Sequence, residues 1–171
     1  ELNQGVFFYI KNTRTKKIWQ GYGSQKIIFA PDKAKFTRID GNLETSTSIT
    51  IDAKSSTEIR RLEVKNNGNN EEILEITSSF EPILSSESQD YAHPAFNKLF
   101  LKFDYQDDNI IVERKNRGSG KKIYLATTLY TESECIGDLE YEIDKEKFLG
   151  RENILVPVEV QESKTFSKAL G

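Results

Sequence analysis

The feature that most constrains the fold is an alternation of apolar and polar side chains with a period of two, which recurs along most of the 171 residues. This period places alternate side chains on opposite faces of a β-strand, so each run predicts a strand with one inward face. The chain is therefore predicted to be all-β. The predicted inward sets are Leu43, Thr45, Thr47, Ile49 and Ile51; Leu62 and Val64; Leu74, Ile76, Ser78 and Phe80; Leu99, Leu101 and Phe103; Ile123, Leu125, Thr127 and Leu129; and Leu139, Tyr141 and Ile143.

Turn-forming residues separate several of these runs. They are Asp40-Gly41, Asn67-Gly68, Asp107-Asp108-Asn109 and Gly118-Ser119-Gly120. Gly, Asn and Asp tolerate the positive φ angles that tight hairpin turns require. Short alternating runs with frequent turns favour an antiparallel sandwich or barrel over a parallel βαβ fold.

Two segments depart from the strand pattern. Residues 144–149 predict a helical turn, with Asp144 as its N-cap and Gly150 as its C-terminal stop. Residues 85–96 predict a polar loop that is too long for a hairpin, in which Pro94 holds His93 in an extended conformation. A loop of this kind between strands is a common place for functional residues.

Charge and composition exclude several classes of function. A net charge of −3 gives no electrostatic footprint for nucleic acid. No apolar run approaches the roughly 20 residues that span a bilayer, and no secretory signal opens the chain. The single cysteine, Cys135, rules out an internal disulfide and indicates a reducing, cytoplasmic setting. The single histidine, His93, rules out a two-histidine metal site, and we expect no metal, cofactor or catalytic residue in this chain.

The most specific pattern lies in residues 74–104 and 138–151, which read LEITSSFEPILSSESQDYAHPAFNKLFLKFD and DLEYEIDKEKFLGR. Supporting segments are residues 7–19, 34–51 and 58–66, in that order. Together they resemble the β-domain of the cellobiose-phosphorylase family of glycoside phosphorylases. The branch they resemble most contains the cyclic β-1,2-glucan synthases and the β-1,2-oligoglucan phosphorylases.

The resemblance implies an antiparallel β-supersandwich of the galactose-mutarotase-like type, with residues 1–171 as a single domain. The strands that open and close such a sandwich are not found, methionine is absent and the chain opens at Glu1, so we expect an incomplete fragment of a longer chain. In the family, such a domain precedes a helical barrel that holds the catalytic aspartate and the phosphate site. The implied partners are this barrel, a β-glucan oligosaccharide and, as a homodimer, a second copy. The implied location is the cytoplasm, including the cytoplasmic part of a membrane-bound synthase.

Three hypotheses on function follow. The favoured one is a non-catalytic, carbohydrate-binding β-domain of a β-glucan phosphorylase or a cyclic β-1,2-glucan synthase, which also serves domain or subunit packing. The second is a free-standing β-sandwich interaction module. The third is a mutarotase-like sugar epimerase, which would need His93 as its acid.

Four residues are candidates for sugar contact, because an aromatic face can stack on the C–H surface of a sugar while polar groups bind its hydroxyls. They are Trp19, Tyr22, Tyr91 and His93. Trp19 fits equally well as a core residue at the start of a strand. Tyr91 is preferred because it lies in the long loop, and His93 fits either a sugar contact or a residue that stabilises that loop.

Overall fold

The computed structural model describes residues 5–23, 25–116, 120–150 and 157–162. These residues form antiparallel sheets with a few short helices, which confirms the predicted all-β class. The elements are β1 (Val6–Asn12), β2 (Ile18–Gln20), β3 (Lys26–Phe29), β4 (Ala34–Asp40), β5 (Leu43–Ile51), β6 (Glu58–Asn66), β7 (Leu74–Phe80), α1 (Glu87–Ala92), α2 (Pro94–Lys98), β8 (Leu101–Gln106), β9 (Asn109–Lys115), β10 (Lys122–Thr128), α3 (Lys145–Leu149) and α4 (Val158–Glu162).

The chain divides into two compact units, Glu1–Ser79 and Phe80–Gly171. The first unit contains a four-stranded sheet in the order β3-β4-β5-β6 and a three-stranded sheet in the order β2-β1-β7. The second unit contains a three-stranded sheet in the order β10-β9-β8. The single-domain organisation of residues 1–171 stays a prediction.

The core of the first unit lies against the predicted inward face of β5. Leu43, Thr45 and Thr47 are 6%, 0% and 0% exposed, so the alternation identified this face correctly. Ile51, at the end of the same face, is 70% exposed. The core cluster consists of Ile10, Trp19 and Leu43, with Leu62, Val64 and Leu74 packed against it.

Two predicted hairpin turns are confirmed. Asp40 pairs with Leu43 across a two-residue turn, in which Gly41 has a φ of 63°. In the second unit, Gln106 pairs with Asn109 around Asp107 and Asp108, whose φ angles of 49° and 61° are those of the tight turns that suit twisted strands. β9 and β10 also pair, but residues 117–119 of the turn predicted between them lie outside the described residues.

The predicted helical turn at residues 144–149 is α3. The Asp144 carboxylate accepts hydrogen bonds from the backbone N–H groups of Glu146 and Lys147, at 2.9 and 3.1 Å. Gly150 ends the helix with a φ of 64°. Lys145, at the start of α3, donates to the Glu81 carboxylate at 3.0 Å, and Lys98 forms a second ion pair with the same carboxylate. Glu81 therefore ties α2 and α3 together within the second unit.

The loop predicted at residues 85–96 is wrong in its conformation, because the structure forms α1 and α2 there. Ser86 precedes α1 with extended φ and ψ of −66° and 151°, and acidic residues occupy the first turn, where they favour a helix N-terminus. Pro94 lies in the first turn of α2, which tolerates proline because that position needs no N–H partner. His93 has φ and ψ of −147° and 66°, so it leaves the helical region as Pro94 requires but falls short of full extension.

Other expectations on strands also need correction. Asn67-Gly68 does not close a hairpin, because β6 and β7 belong to different sheets. Leu99 caps α2 and is 76% exposed, so it is not an inward strand residue. Residues 139–143 form no strand, although Tyr141 stacks on Tyr105 with 3.9 Å between the ring centroids. Predicted inward residues at sheet edges or strand ends are also partly exposed: Ile76 37%, Ile123 43% and Leu129 37%.

Among the described residues, no helix is long and apolar enough to cross a membrane. The same residues contain no group of three or more His, Cys, Asp or Glu side chains placed to hold a metal ion.

Candidate functional site

A half-open pocket of about 200 Å³ lies in the first unit. Tyr22, Gly23 and Gln25 line it from the connection between β2 and β3, and Arg38 lines it from β4. The pocket thus joins one aromatic ring, one amide and one guanidinium around a glycine. The lining is mainly polar, which distinguishes this pocket from the mostly apolar sites that bind drug-like molecules.

The pocket depends on the absence of a side chain at residue 23. A Cβ built on Gly23 would lie 2.2 Å from the Cβ of Arg38 and 3.1 Å from its Cα. Contacts this short to another residue's backbone cannot be relieved by rotating a side chain. Gly23 therefore allows the chain before β3 to pass directly against Arg38.

Arg38 is fixed by an ion pair with Asp40, two residues further along the same face of β4. Its Nε and Nη2 atoms donate to the two carboxylate oxygens of Asp40 at 2.6 and 2.8 Å, and Nη1 donates to the carbonyl of Gln20 at 3.3 Å. A guanidinium has five N–H donors, so among the described residues these three bonds leave two N–H groups of Arg38 for a ligand. The charged group at the pocket is therefore held by Asp40 and Gln20 and keeps donors that no other described residue uses.

Asp40 remains ionised beside this pocket. Burial opposes its negative charge, but hydrogen bonds and charges from Arg38 and Lys17 outweigh burial and lower the pKa of the Asp40 carboxyl. The Lys17 ammonium lies 3.1 Å from the carboxylate. A carboxyl group held in this way is an anchor for Arg38 and a poor proton donor.

The Tyr22 ring is positioned by aromatic and ionic neighbours. It stacks on Phe8 at 6.3 Å between ring centroids and meets the edge of Phe36 at 5.6 Å. Its hydroxyl accepts a hydrogen bond of 2.6 Å from Nη1 of Arg60, whose guanidinium carbon lies 5.9 Å from the ring centroid. Burial raises the pKa of the Tyr22 hydroxyl, although the hydrogen bond and charge of Arg60 act in the opposite direction.

Gln25 continues the pairing of β3 with β4 through its side chain. Its amide oxygen accepts a hydrogen bond from the backbone N–H of Ile39 at 2.5 Å, and its amide nitrogen donates to the Ile39 carbonyl at 3.5 Å. The amide thereby takes the place of a backbone peptide group at the end of the ladder. These two bonds hold the Gln25 side chain, which lines the pocket, against β4.

Trp19 lies in the core. The side chain is 5% exposed, and its Nε1–H donates to the Thr45 hydroxyl at 3.0 Å. The sequence left open whether Trp19 is a core residue or a sugar contact, and in the structure its ring lies in the core. The ring packs with Ile10 and Leu43.

Tyr91 and His93 lie in the second unit. Tyr91 is on α1 and is 89% exposed, and His93 is the exposed junction between α1 and α2. Asn97 holds the two helices, because its amide donates to the Gln89 carbonyl at 2.6 Å and accepts from Arg114 of β9 at 2.9 Å. The predicted site residues therefore divide between the units, Trp19 and Tyr22 in one and Tyr91 and His93 in the other.

Sequence reasoning missed three of the four pocket residues, Gly23, Gln25 and Arg38. The spacing of Arg38 and Asp40 offered one signal, since residues two apart in a strand share a face and opposite charges there can pair. No local pattern indicates that the Gln25 side chain pairs with a backbone group on another strand.

The antiparallel sheets define an all-β chain, and its first unit carries a small recess lined by polar groups and one aromatic residue. The family model for "Glycosyl hydrolase 94, supersandwich domain" matches residues 3–171, and the chain belongs to this family. It is also 28% identical over 158 residues to the cyclic beta-(1,2)-glucan synthase NdvB of Rhizobium meliloti (strain 1021). That match covers 86% of this chain but only 6% of the length of the relative. The resemblance stated from the sequence is confirmed, and the chain is a β-sandwich domain of a family of carbohydrate-active enzymes.

Proposed function

We propose that this chain is a non-catalytic carbohydrate-binding domain of an enzyme that makes or phosphorolyses β-glucan. Its ligand is a β-1,2-linked gluco-oligosaccharide, and its site is the pocket formed by Tyr22, Gly23, Gln25 and Arg38. The family and the named function of the relative support the class of ligand. The observation that supports the site is the position of Tyr22 beside Arg38, two of whose N–H groups have no partner among the described residues.

The chemistry of the pocket suits a sugar. Pyranose rings offer C–H faces that pack on aromatic rings, and their hydroxyl groups accept hydrogen bonds from planar donors such as guanidinium. The volume of about 200 Å³ is smaller than the ~300–1,000 Å³ of a typical drug-sized site, so it suits one sugar unit with the rest of the chain outside. Because Arg38 and Tyr22 are already held by neighbours, binding costs little side-chain entropy.

Binding, and not bond cleavage, fits the ionisation of the adjacent carboxyl group. A glycosidase-type general acid needs a pKa raised toward neutrality so that it holds a proton. The pKa of Asp40 is instead lowered, and its oxygens are occupied by Arg38 and Lys17. In our proposal the cleavage or transfer step belongs to a helical-barrel catalytic domain elsewhere in the parent protein, to which this domain delivers the glucan.

The test is a calorimetric titration of the 171-residue chain with β-1,2-gluco-oligosaccharides, with cellobiose and a maltose series as comparison ligands. We expect saturable binding that is selective for the β-1,2 series. Gly23→Ala should weaken it at least about tenfold, since the added Cβ displaces Arg38. Gly68→Ala is the matched control, because its Cβ would meet the side-chain amide of Asn42, which does not line the pocket.

The fold of each variant is checked by the emission of the only tryptophan, Trp19, which is buried. A folded wild-type chain that gives no heat with any β-1,2 oligosaccharide would overturn the proposed function. Wild-type affinity in a folded Gly23→Ala variant would overturn the assignment of the pocket.

A further inference from the structure

The sheet β8-β9-β10 of the second unit has two unlike faces. Pairing across the sheet places Phe103, Val112 and Leu125 in one row, and Val112 is 0% exposed. Paired residues of an antiparallel sheet share a face, so the next row, which is Lys102, Glu113 and Tyr124, lies on the opposite face. We call the face with Val112 the inner face and the face with Tyr124 the outer face.

Described elements of the second unit cover the inner face. Asn97 of α2 accepts a hydrogen bond from Arg114, and Tyr141 stacks on Tyr105; both Arg114 and Tyr105 are inner-face residues by register. The outer face is accessible, because Lys102, Asp104 and Gln106 are all exposed. It also carries Tyr124, whose side chain is 57% exposed although it lies in the middle of a paired strand.

Charged side chains, Glu113 and Lys122, lie next to Tyr124 on the outer face. The Lys122 ammonium lies 3.0 Å from the Glu113 carboxylate, and Tyr124 is paired with Glu113 across β9 and β10. The hydrogen bond from Lys122, with the charges of Lys122 and Lys102, lowers the pKa of Glu113 and keeps it an ionised acceptor. The ring therefore lies beside an ion pair that supplies acceptor and donor atoms.

No large side chain of β10 stands between Tyr124 and Thr128 on the outer face. Two residues on along β10 lies Ala126, which is exposed and small, and Thr128 follows. Since a strand rises by about 3.3 Å per residue, the strip from Tyr124 to Thr128 is roughly 13 Å long. Gln106 and Asn109 pair at the Thr128 end of this strip and supply amide groups there.

The charges on the outer face nearly cancel. Lys102, Lys115 and Lys122 oppose Asp104 and Glu113; Lys102 pairs with Glu113 across β8 and β9, whereas Lys115 and Lys122 pair with each other across β9 and β10. A face with mixed charges and one open aromatic ring does not attract a polyanion. It suits a neutral ligand that has apolar C–H faces and many hydroxyl groups.

We propose that the outer face of β8-β9-β10 is a second carbohydrate site, which binds a neutral oligosaccharide chain along β10. Tyr124 is the stacking platform for one sugar ring, and Glu113 and Lys102 bind hydroxyl groups of that ring. Thr128 and Gln106 contact the chain further along. The inference that the sugar is a β-1,2-glucan rests on the proposed function, whereas the site itself rests on the outer face alone.

The experiment counts binding sites on the full 171-residue chain by calorimetry. The ligands are β-1,2-gluco-oligosaccharides and, as other neutral chains, cello- and malto-oligosaccharides. We expect two sites per wild-type chain for the β-1,2 series and one site in Tyr124→Ala. Tyr124→Phe keeps the ring and should keep both sites. Tyr130→Ala is the matched control, because Tyr130 is 82% exposed but lies outside the strands.

The outcomes separate the two proposals. If Tyr124→Ala keeps the stoichiometry and affinity of the wild type within about twofold, the outer-face site is refuted, whatever Gly23→Ala does. If Gly23→Ala loses one site and Tyr124→Ala the other, both proposals stand. A third result is also informative. If the wild-type chain shows no selectivity for β-1,2 oligosaccharides, the proposed function is refuted. If Tyr124→Ala then loses binding to cello- or malto-oligosaccharides, the outer-face site is supported. A wild-type chain that binds none of these oligosaccharides would overturn both.

Discussion

Replacing Thr45 with valine should destabilise the first unit through one hydrogen bond. Thr45 is 0% exposed, and its hydroxyl accepts the indole N–H of Trp19 at 3.0 Å inside the core. Valine has nearly the same shape, so the packing survives while the buried N–H loses its acceptor. An unsatisfied buried donor costs ~1–3 kcal/mol. At about 2–4 °C per kcal/mol for a chain of this size, Tm should fall by roughly 2–12 °C.

Urea unfolding followed by Trp19 emission measures this change, because the chain has no other tryptophan. The midpoint should fall while the slope of the free energy of unfolding against urea stays the same, since the native surface does not change. Thr50→Val is the matched control: Thr50 lies in the same strand, β5, on the opposite face. If Thr45→Val and Thr50→Val differ by less than about 0.5 kcal/mol, the buried hydrogen bond is not a stabilising contact and our reading of Trp19 as a core anchor fails.

Three further outcomes are expected. Asp144→Ala removes both N-cap hydrogen bonds of α3 and should destabilise the second unit by ~0.5–2 kcal/mol; unchanged backbone hydrogen exchange in α3 would contradict this. Glu81→Gln breaks the ion pairs with Lys98 and Lys145 and should lower the free energy of unfolding in urea by about 1 kcal/mol. The exposed control Glu63→Gln should lower it less, and equal effects would mean that Glu81 does not hold α2 and α3 together. Burial raises the pKa of Tyr9 to about 12, so unfolded chains ionise first and stability should fall as the pH rises from about 10 to about 12; Tyr9→Phe should show a smaller fall over that range, and an identical fall would exclude Tyr9 as the cause.

The sequence predicted the strands best where alternation and turn chemistry agree. β5 is the clearest case: Leu43, Thr45 and Thr47 of its predicted inward face are buried, and Gly41 provided the turn before it. The cap residues of α3 were equally readable, because Asp144 and Gly150 act through the local backbone. Such features depend on neighbours within a few residues, which a sequence displays directly.

The failures concern contacts between distant residues. Residues 139–143 alternate like a strand, yet they pair with none of the described strands, and Tyr141 stacks on Tyr105. The helices α1 and α2 escaped prediction because each has only six or five residues, too few to show a helical period. The pocket could not be predicted for a different reason: it requires Gly23 and Arg38, which lie on separate segments, to come into contact.

The degree to which each ring is held in place decides which aromatic residue is the better ligand contact. Tyr91 is 89% exposed and lies on a six-residue helix. A ring that is free in this way must lose its rotamer freedom when a ligand binds, at a cost of ~0.5–1.5 kcal/mol. Tyr22 has already lost that freedom to Phe8, Phe36 and Arg60, and it faces a pocket whose guanidinium is locked as well. We therefore place Tyr22 ahead of Tyr91 as the sugar contact, which reverses the preference drawn from loop position in the sequence.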